Sequence, residues 1–437
     1  MNTLEEIIFP LSDSSKDYKL MLDTIKDARI VLIGEASHGT HEFYVIRSEI
    51  TKHLIMEKGF NFVAIEGDWP DTYRINGYVC EGSLSLNQSL DGFKRFPTWM
   101  WRNKEIVTFL KWLREYNDSL PPNAFKAHVY GLDLYSLHAS INAVLSYLEQ
   151  VDPEAARRAQ ARYSCLDLYY EDMRGYAYDA SLGLTQECEE SINAQLKEMQ
   201  QSFYQQMSQQ DTTRRNEYFL ALQNAKVIKK AEEYYRSLVS GNVISWNLRD
   251  EHMMDVLDSL VSYYATLLGK PCKTVVWAHN SHIGDARVTR MGATGQLNLG
   301  QLVRERYGNL SYNIGFTTYK GTVAAASDWD GPVERKNVVP ALSGSYEDLF
   351  NRVGVERFFI PFTEQAAVQA LVGPRLHRAI GVIYRPETEL HSHYFTTDIS
   401  RQYNSLIHIN TTKAVHPLDP PEAWPSTELP EAFPSGL

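Results

Sequence analysis

Cysteine is scarce: the 437 residues hold four (Cys80, Cys165, Cys188 and Cys272), none in a CxxC pair or another zinc-like spacing. That excludes zinc ribbons and dithiol redox motifs, and so few cysteines in so long a chain predict free thiols in a reducing compartment. Positive charge is also short, with 43 Lys and Arg against 54 Asp and Glu, a net charge of −11. Proteins that neutralise phosphate backbones carry a basic face, so nucleic acid is not an expected partner. No run of about 18 apolar residues occurs, which predicts no membrane-spanning helix. The opening stretch MNTLEEIIFPLSDSSKDYK places acids where a secretory leader has a basic end and an apolar centre, so a cytoplasmic location is expected. There is no G-x-S-x-G elbow to carry a nucleophilic serine, no G-x-G-x-x-G and no P-loop; Gly292, Gly295 and Gly300 have the wrong spacing for a dinucleotide fingerprint.

What is present alternates. Residues 28–33 (ARIVLI) form a β-branched run that stops at Gly34. Phe43, Ile46, Ile50 and Leu54 then make one helical stripe, with Gly59 as its stop. FNFVAI (residues 60–65) reads as a second buried strand, a helix is expected from Trp99 to Tyr116, and residues 127–131 (AHVYG) read as a third strand. This rhythm predicts right-handed crossovers and an α/β fold with a mainly parallel central sheet flanked by helices. Between Ser136 and Leu268 only helical signals remain, and Gln186 to Val239 lacks Pro and Gly, which predicts long antiparallel helices in a large all-helical insertion or lobe. Strand signals return at residues 273–278 (KTVVWA), 310–316, 322–326 and 379–384. The expected division is an α/β part over 1–135, a helical lobe over 136–270, a second α/β part over 271–415 and an extended surface arm over 416–437.

Ionisable groups collect at the carboxyl ends of the expected strands. Glu35 and His38 follow the first, Glu66 and Asp68 the second, Asp133 the third, and His279 and His282 follow KTVVWA. In an open α/β sheet the crevice outside the carboxyl ends is where ligands bind, so four strands deliver acids and imidazoles to one rim. The small-residue turn Gly34-Glu35-Ala36-Ser37-His38-Gly39 lets a ligand approach the backbone. An imidazole beside a carboxylate that fixes its tautomer is the chemistry of a general base. The plainer alternative is that His38 caps the helix and Glu35 pairs with Arg47. Arg47 and Arg74 follow the first two acid clusters and can neutralise a buried carboxylate or hold a substrate oxygen. His38/His41 and His279/His282 have HxxH spacing, which keeps open a metal- or haem-binding protein, although neither has the HExxH form. His391 and His393 alternate and read as surface residues. Tyr44, Trp69, Tyr73, Trp99, Trp101 and Tyr135 could wall an apolar cleft or simply fill the core. A third reading is an interaction protein that uses the helical lobe.

Several blocks resemble the erythromycin esterase family: IGEASHGTHEFYVIRSEI (33–50), AIEGDWPD (64–71), YGLDLYS (130–136), NLRD (247–250), WAHNSHIGD (277–285), and residues 378–384 with 392–395. The order is kept over nearly the whole chain, and GEASHG and WAHNSH are the specific blocks. The resemblance implies a carboxylic ester hydrolase of the kind that opens the macrolactone of 14-membered macrolides and so confers antibiotic resistance. It implies a small-molecule ester or lactone as partner, with no cofactor and no required metal. It also implies His38 as the base that activates water, with Glu35, Glu66 and His279 as its catalytic companions. Arg47, Arg74 and His282 also match the family's site residues, and with Asp68 and Asp133 from the strand ends they are expected around the substrate; the residue reading further expects Glu66 or His279 to protonate the leaving alkoxide.

Overall fold

Strands buried on both faces need apolar side chains at every position, and this chain supplies them in short runs. In the computed structural model, which describes residues 4–419 apart from 13–14, 171–172, 208–210, 240, 363–364 and 372, these runs form the centre of one sheet. Its strands are β1 (Phe9–Pro10), β2 (Ile30–Ile33), β3 (Phe62–Asp68), β4 (His128–Asp133), β5 (Thr274–Trp277), β6 (Ser311–Ala325), β7 (Glu334–Val338), β8 (Arg357–Pro361) and β11 (Ser405–Thr412). A separate ribbon pairs β9 (Arg375–Arg378) with β10 (Tyr394–Thr397). The order is β1-β8-β11-β6-β2-β5-β3-β4, with β7 beside the far end of β6. From β11 to β4 every neighbouring pair is parallel, while β8, β1 and β7 join antiparallel. The fold is therefore α/β with a mostly parallel sheet, as the sequence rhythm predicts.

Alternation along the strands divides the core into two layers. Val31, Ile33, Val63, Ile65, Val275 and Trp277 face one side, where the stripe Phe43, Ile46, Ile50 and Leu54 of helix His41–Lys58 covers them. Gly59 ends that helix in the left-handed region (φ 67°) and returns its N–H to the Leu54 carbonyl, the expected stop. Ile30, Leu32, Phe62, Ala64 and Val276 face the other side, under Met253, Leu257, Leu260 and Tyr264 of helix Asn242–Leu268.

Between Leu137 and Leu268 the described elements are all helical, and helices Leu137–Val151, Pro153–Tyr163, Gln186–Met207 and Thr212–Ser237 share a core of their own. This lobe brings the Cα atoms of Cys165 and Cys188 to 5.6 Å, and the two are joined in a disulfide. The expectation of four free thiols is thus corrected: Cys80 and Cys272 are free and buried, and cysteine usage no longer argues for a reducing compartment. Among the described residues no helix is long and apolar enough to cross a membrane.

Several boundaries differ from expectation. Residues 310–316 and 322–326 are parts of the single strand β6. Residues 379–384 form no strand: they cross the strand ends through isolated bridges, Ile380 to Ser37 and Ile383 to Ala326. The helix expected from Trp99 begins at Lys104, where the Asn103 side chain accepts the Ile106 N–H. His391 is exposed, but His393 is buried against Tyr384, and burial lowers its pKa to about 4, so the surface reading fails there. The C-terminal arm is bonded to the body at its start. Val415 donates to Gly39, His416 accepts from Lys104, and Leu418 donates to Arg102. Its continuation, 420–437, lies outside the described residues.

Candidate active site

The order β2-β5-β3-β4 places four carboxyl ends side by side, and each carries the groups the sequence marks. After β2 the chain turns through Gly34 to Thr40. Asn280 donates its N–H to the Glu35 carbonyl, Ile380 donates to Ala36, and Tyr44 donates its hydroxyl to the His38 carbonyl. Ser37 and Thr40 close a hydroxyl–hydroxyl bond within the turn. The turn needs its glycines because a Cβ on Gly39 would sit 1.9 Å from the Ala324 carbonyl oxygen, and one on Gly34 would sit 2.2 Å from Asn280 Oδ1.

In this turn His38 Nδ1 lies 2.9 Å from Glu35 Oε1, and Glu35 Oε2 lies 2.6 Å from the Arg47 guanidinium. Arg47 is fully buried and stacks on the Tyr44 and Trp277 rings at 4.4 and 5.1 Å. The two alternatives for Glu35 are therefore one arrangement: a single carboxylate bridges Arg47 and His38. His38 does not cap the helix; the position before it is Thr40. An Nδ1–H donated to Glu35 leaves the Nε2 lone pair of His38 as the basic position.

The His279 ring lies 4.8 Å from that of His38. Its Nδ1 takes the Ser281 N–H and hydroxyl, and its backbone N–H donates to Glu66 Oε2 at 2.7 Å. Burial, then the His38 charge, push its pKa well below the ordinary 6.5, so it is a neutral imidazole. Glu66 Oε1 meets Arg249 at 2.8 Å and His282 Nε2 at 3.4 Å. Burial raises the Glu66 carboxyl, but His282, His38 and Arg249 together hold it well below the usual range. Glu66 is thus held in its ionised form, which disfavours its expected service as a proton donor to the leaving group. A neutral His279 is no better an acid.

Asp133, the last residue of β4, receives Arg249 Nε at 3.0 Å and Nη2 at 2.6 Å, a two-pronged bond. His282 donates through Nδ1 to Asp250 at 2.9 Å and lies flat on Trp246 with ring centroids 4.5 Å apart. Burial opposes its charge, but Asp250 and Glu66 prevail and its pKa rises to about 9. Asp68 accepts the Tyr135 N–H and pairs with Arg95. Asp71, beside it, is raised to about 7 by burial and then by the Asp68 charge.

A narrow cleft of about 40 Å³ opens between these groups, lined on its polar side by His38, Glu66, Asp68, Asp71, Arg95, Asp133 and Arg249. Phe93, Phe96, Met100 and Trp101 make its apolar wall, and Trp101 donates its ring N–H to the Glu66 carbonyl. Of the sequence candidates, the structure brings Glu35, His38, Arg47, Glu66, Asp68, Asp133, His279 and His282 into one cluster. It does not bring Arg74, which is exposed and donates to the Gln88 carbonyl. The arginines that line the cleft are instead Arg95 and Arg249. Sequence reasoning missed both, together with Asp71, Asp250 and Trp246. Arg249 and Asp250 lie in the NLRD block (247–250) and Asp71 ends AIEGDWPD (64–71), blocks that carried the family resemblance without a site role being given to these residues. Neither HxxH pair converges: His41 turns to Glu105 and His282 to Asp250, so the metal or haem reading loses the geometry on which it rested. Of the six aromatic candidates, Trp101 walls the cleft, Tyr135 lies under Arg95 and Arg249, and Trp69 is core, stacked on Tyr130.

Comparison with known proteins agrees with this architecture. The erythromycin esterase family model matches residues 55–412. The Bacillus subtilis protein YbfO is 22% identical over 412 residues, covering 90% of this chain and 86% of its own. Erythromycin esterase type II of Escherichia coli is 22% identical over 365 residues, covering 80% and 84%. The solved structure of a mutant of the erythromycin esterase EreC in its open conformation superposes with a TM-score of 0.69 at 15% identity, over 93% of this chain and 96% of that one.

Proposed function

This chain belongs to the erythromycin esterase family, and on that footing we propose that it is a hydrolase of carboxylic esters or lactones in which His38 activates water. The observation that carries the reading is the Arg47–Glu35–His38 relay ending at the wall of a cleft narrow enough to hold little more than water. His38 Nε2 takes a proton as the water oxygen attacks the carbonyl carbon. Glu35 holds the Nδ1–H throughout, and Arg47 keeps Glu35 from turning away. The carbonyl π pair moves onto oxygen, where Arg95, which lines the cleft paired with Asp68 and is the more exposed of the two lining arginines, supplies positive charge. When the tetrahedral intermediate collapses, the imidazolium of His38 returns the proton to the departing alkoxide, since Glu66 and His279 cannot supply one. The scheme uses only the chain's own side chains. Its substrate is a small-molecule ester or lactone whose reacting carbonyl enters the cleft while the bulk stays outside, and macrolide macrolactones are the first class to try.

The test is mass spectrometry of erythromycin and a panel of simple esters and lactones, incubated in ¹⁸O-water with the wild type and with His38→Ala. The expected product is a ring-opened acid one water heavier from a lactone, or a separate acid and alcohol from a simple ester, with ¹⁸O on the carboxylate, formed at least about 10²-fold more slowly by the variant. A His38→Ala protein that keeps most of the activity would overturn the assignment.

A further inference from the structure

Three residues beyond His38, a second group of potential ligands comes together from three distant parts of the chain. His41 opens helix His41–Lys58, Glu105 lies in the first turn of helix Lys104–Ser119, and His416 sits on the C-terminal arm. His41 Nδ1 and His416 Nδ1 approach the same Glu105 oxygen, at 2.6 and 2.8 Å, and their rings stand edge to face 5.8 Å apart. One donor atom from each of the three lies within 4.8 Å of the others. Glu105 is buried and is held by the His416 backbone N–H as well. The group borders an open pocket of about 270 Å³ walled by Val45, Ser48, Glu49 and Phe109, with room for a water or other exogenous ligand. The charges around it are mixed. Lys52 is paired with Glu49, Glu42 accepts the Lys413 N–H, and Lys104 and Lys413 are the remaining cations.

We propose that His41, Glu105 and His416 form a binding site for a divalent transition-metal ion of the zinc class, separate from the catalytic cleft. Two imidazoles and one carboxylate with a fourth position open make a borderline N₂O set, which selects Zn²⁺ or Co²⁺ over the oxygen-seeking Mg²⁺ and Ca²⁺. The ligands close from small shifts because both imidazole nitrogens already converge on the third donor, Glu105 Oε1. The ion would staple the C-terminal arm to two helix starts, one of which leads directly out of the turn that holds His38. The site uses only one histidine of the HxxH pair, so it is not the paired-histidine arrangement excluded above.

The experiment titrates untagged full-length protein, freed of metal by chelator and dialysis, with Co²⁺ and then with Zn²⁺. Wild type is expected to take up one Co²⁺ per chain with a visible d–d band, to lose the band on adding Zn²⁺, and to melt at a higher temperature with Zn²⁺ than without. Loss of a partner outside the coordination sphere typically weakens metal sites about 10–100-fold, so His416→Ala, which removes a ligand, should weaken binding at least tenfold and abolish the thermal shift. His416 is largely exposed, so the variant folds, which circular dichroism checks; His391→Ala serves as an exposed-histidine control that binds as wild type does. Uptake that is the same in wild type and His416→Ala, or none at ten equivalents of Co²⁺, would overturn the proposal.

Discussion

Raising the pH should unfasten His282, and the size of the effect follows from its surroundings. An ordinary imidazole titrates near 6.5. Here burial works against the charged form, but the Asp250 and Glu66 carboxylates outweigh it and raise the value to about 9. Folded protein therefore holds this proton more tightly than unfolded protein, and the difference corresponds to about 3 kcal/mol of stability. Below pH 6.5 both states are protonated and the whole contribution is present. It falls away as the pH rises from 6.5 to about 9, with a limiting slope of about 1.4 kcal/mol per pH unit. Urea unfolding of the wild type and of His282→Asn at half-unit steps between pH 6 and 9.5 isolates the effect, because Asn does not titrate. The difference between the two curves should shrink by about 3 kcal/mol across that window. The other buried histidines with lowered values (His128, His252, His393 and His408, each about 4) lie outside it, and Asp71, at about 7, cancels in the difference. Curves that run parallel from pH 6.5 to 9.5 would refute the charged assignment of His282 and the role of Asp250 as its counter-ion.

Arg249→Met should cost about 3–5 kcal/mol in urea unfolding at pH 7, because Glu66 and Asp133 are left buried without their guanidinium; the loss should shrink in acid as these carboxyls protonate. Glu66→Gln should lower kcat about tenfold or more with KM little changed, and should move the acid limb of the kcat/KM profile to lower pH, since a negative charge beside the His38 imidazolium has gone. Gly39→Ala forces the Ala324 backbone away from a contact of 1.9 Å and should sharply depress both soluble yield and turnover. Gly59→Ala, at φ 67° with open space around it, should cost only about 1–2 kcal/mol and leave kcat unchanged. Replacing Cys165 and Cys188 by Ser reopens a span of 23 residues in the unfolded chain and should cost about 3 kcal/mol in chemical denaturation, without effect on the esterase assay.

Strand-end placement was legible wherever a strand is buried on both faces, because such strands read as unbroken apolar runs. IVLI, FVAI and TVVW show this directly, and with them the positions of Glu35, His38, Glu66 and His279. The side of the sheet built from the C-terminal strands was not legible. β8 (RFFIP) and β11 (SLIHINTT) owe their pairing to neighbours more than 40 residues away, and residues 379–384, apolar enough for a strand, are buried as a bridge across the strand ends. The arginines divided in the same way. Arg47 was found because it lies in the helix that directly follows the Glu35 turn, close in sequence to its partner. Arg74 has comparable sequence context but projects to solvent, and Arg249 comes from a helix 183 residues from the carboxylate it serves. Nothing periodic marks a contact of that kind. The disulfide was missed for the same reason, since 23 residues and a turn of the lobe separate its halves.

Arg249 also explains why a helical lobe belongs in this site. Glu66 and Asp133 end adjacent parallel strands, β3 and β4, so the sheet alone would leave two buried carboxylates facing each other. A cation must come from outside the sheet, and the last helix of the lobe, lying across the same face through Met253 and Leu257, delivers it. The next residue, Asp250, joins His282 in a pair that adds no net charge. The sum of Glu66, Asp133 and Arg249 is one negative charge, held next to the neutral His279. Glu35 cannot supply it, being matched by Arg47. In the proposed mechanism the imidazolium formed when His38 accepts a proton from water therefore lies beside a carboxylate already fixed in place, with no reorganisation needed at that moment. On this argument Glu66 acts through its field rather than by moving protons, which is the role its lowered pKa requires.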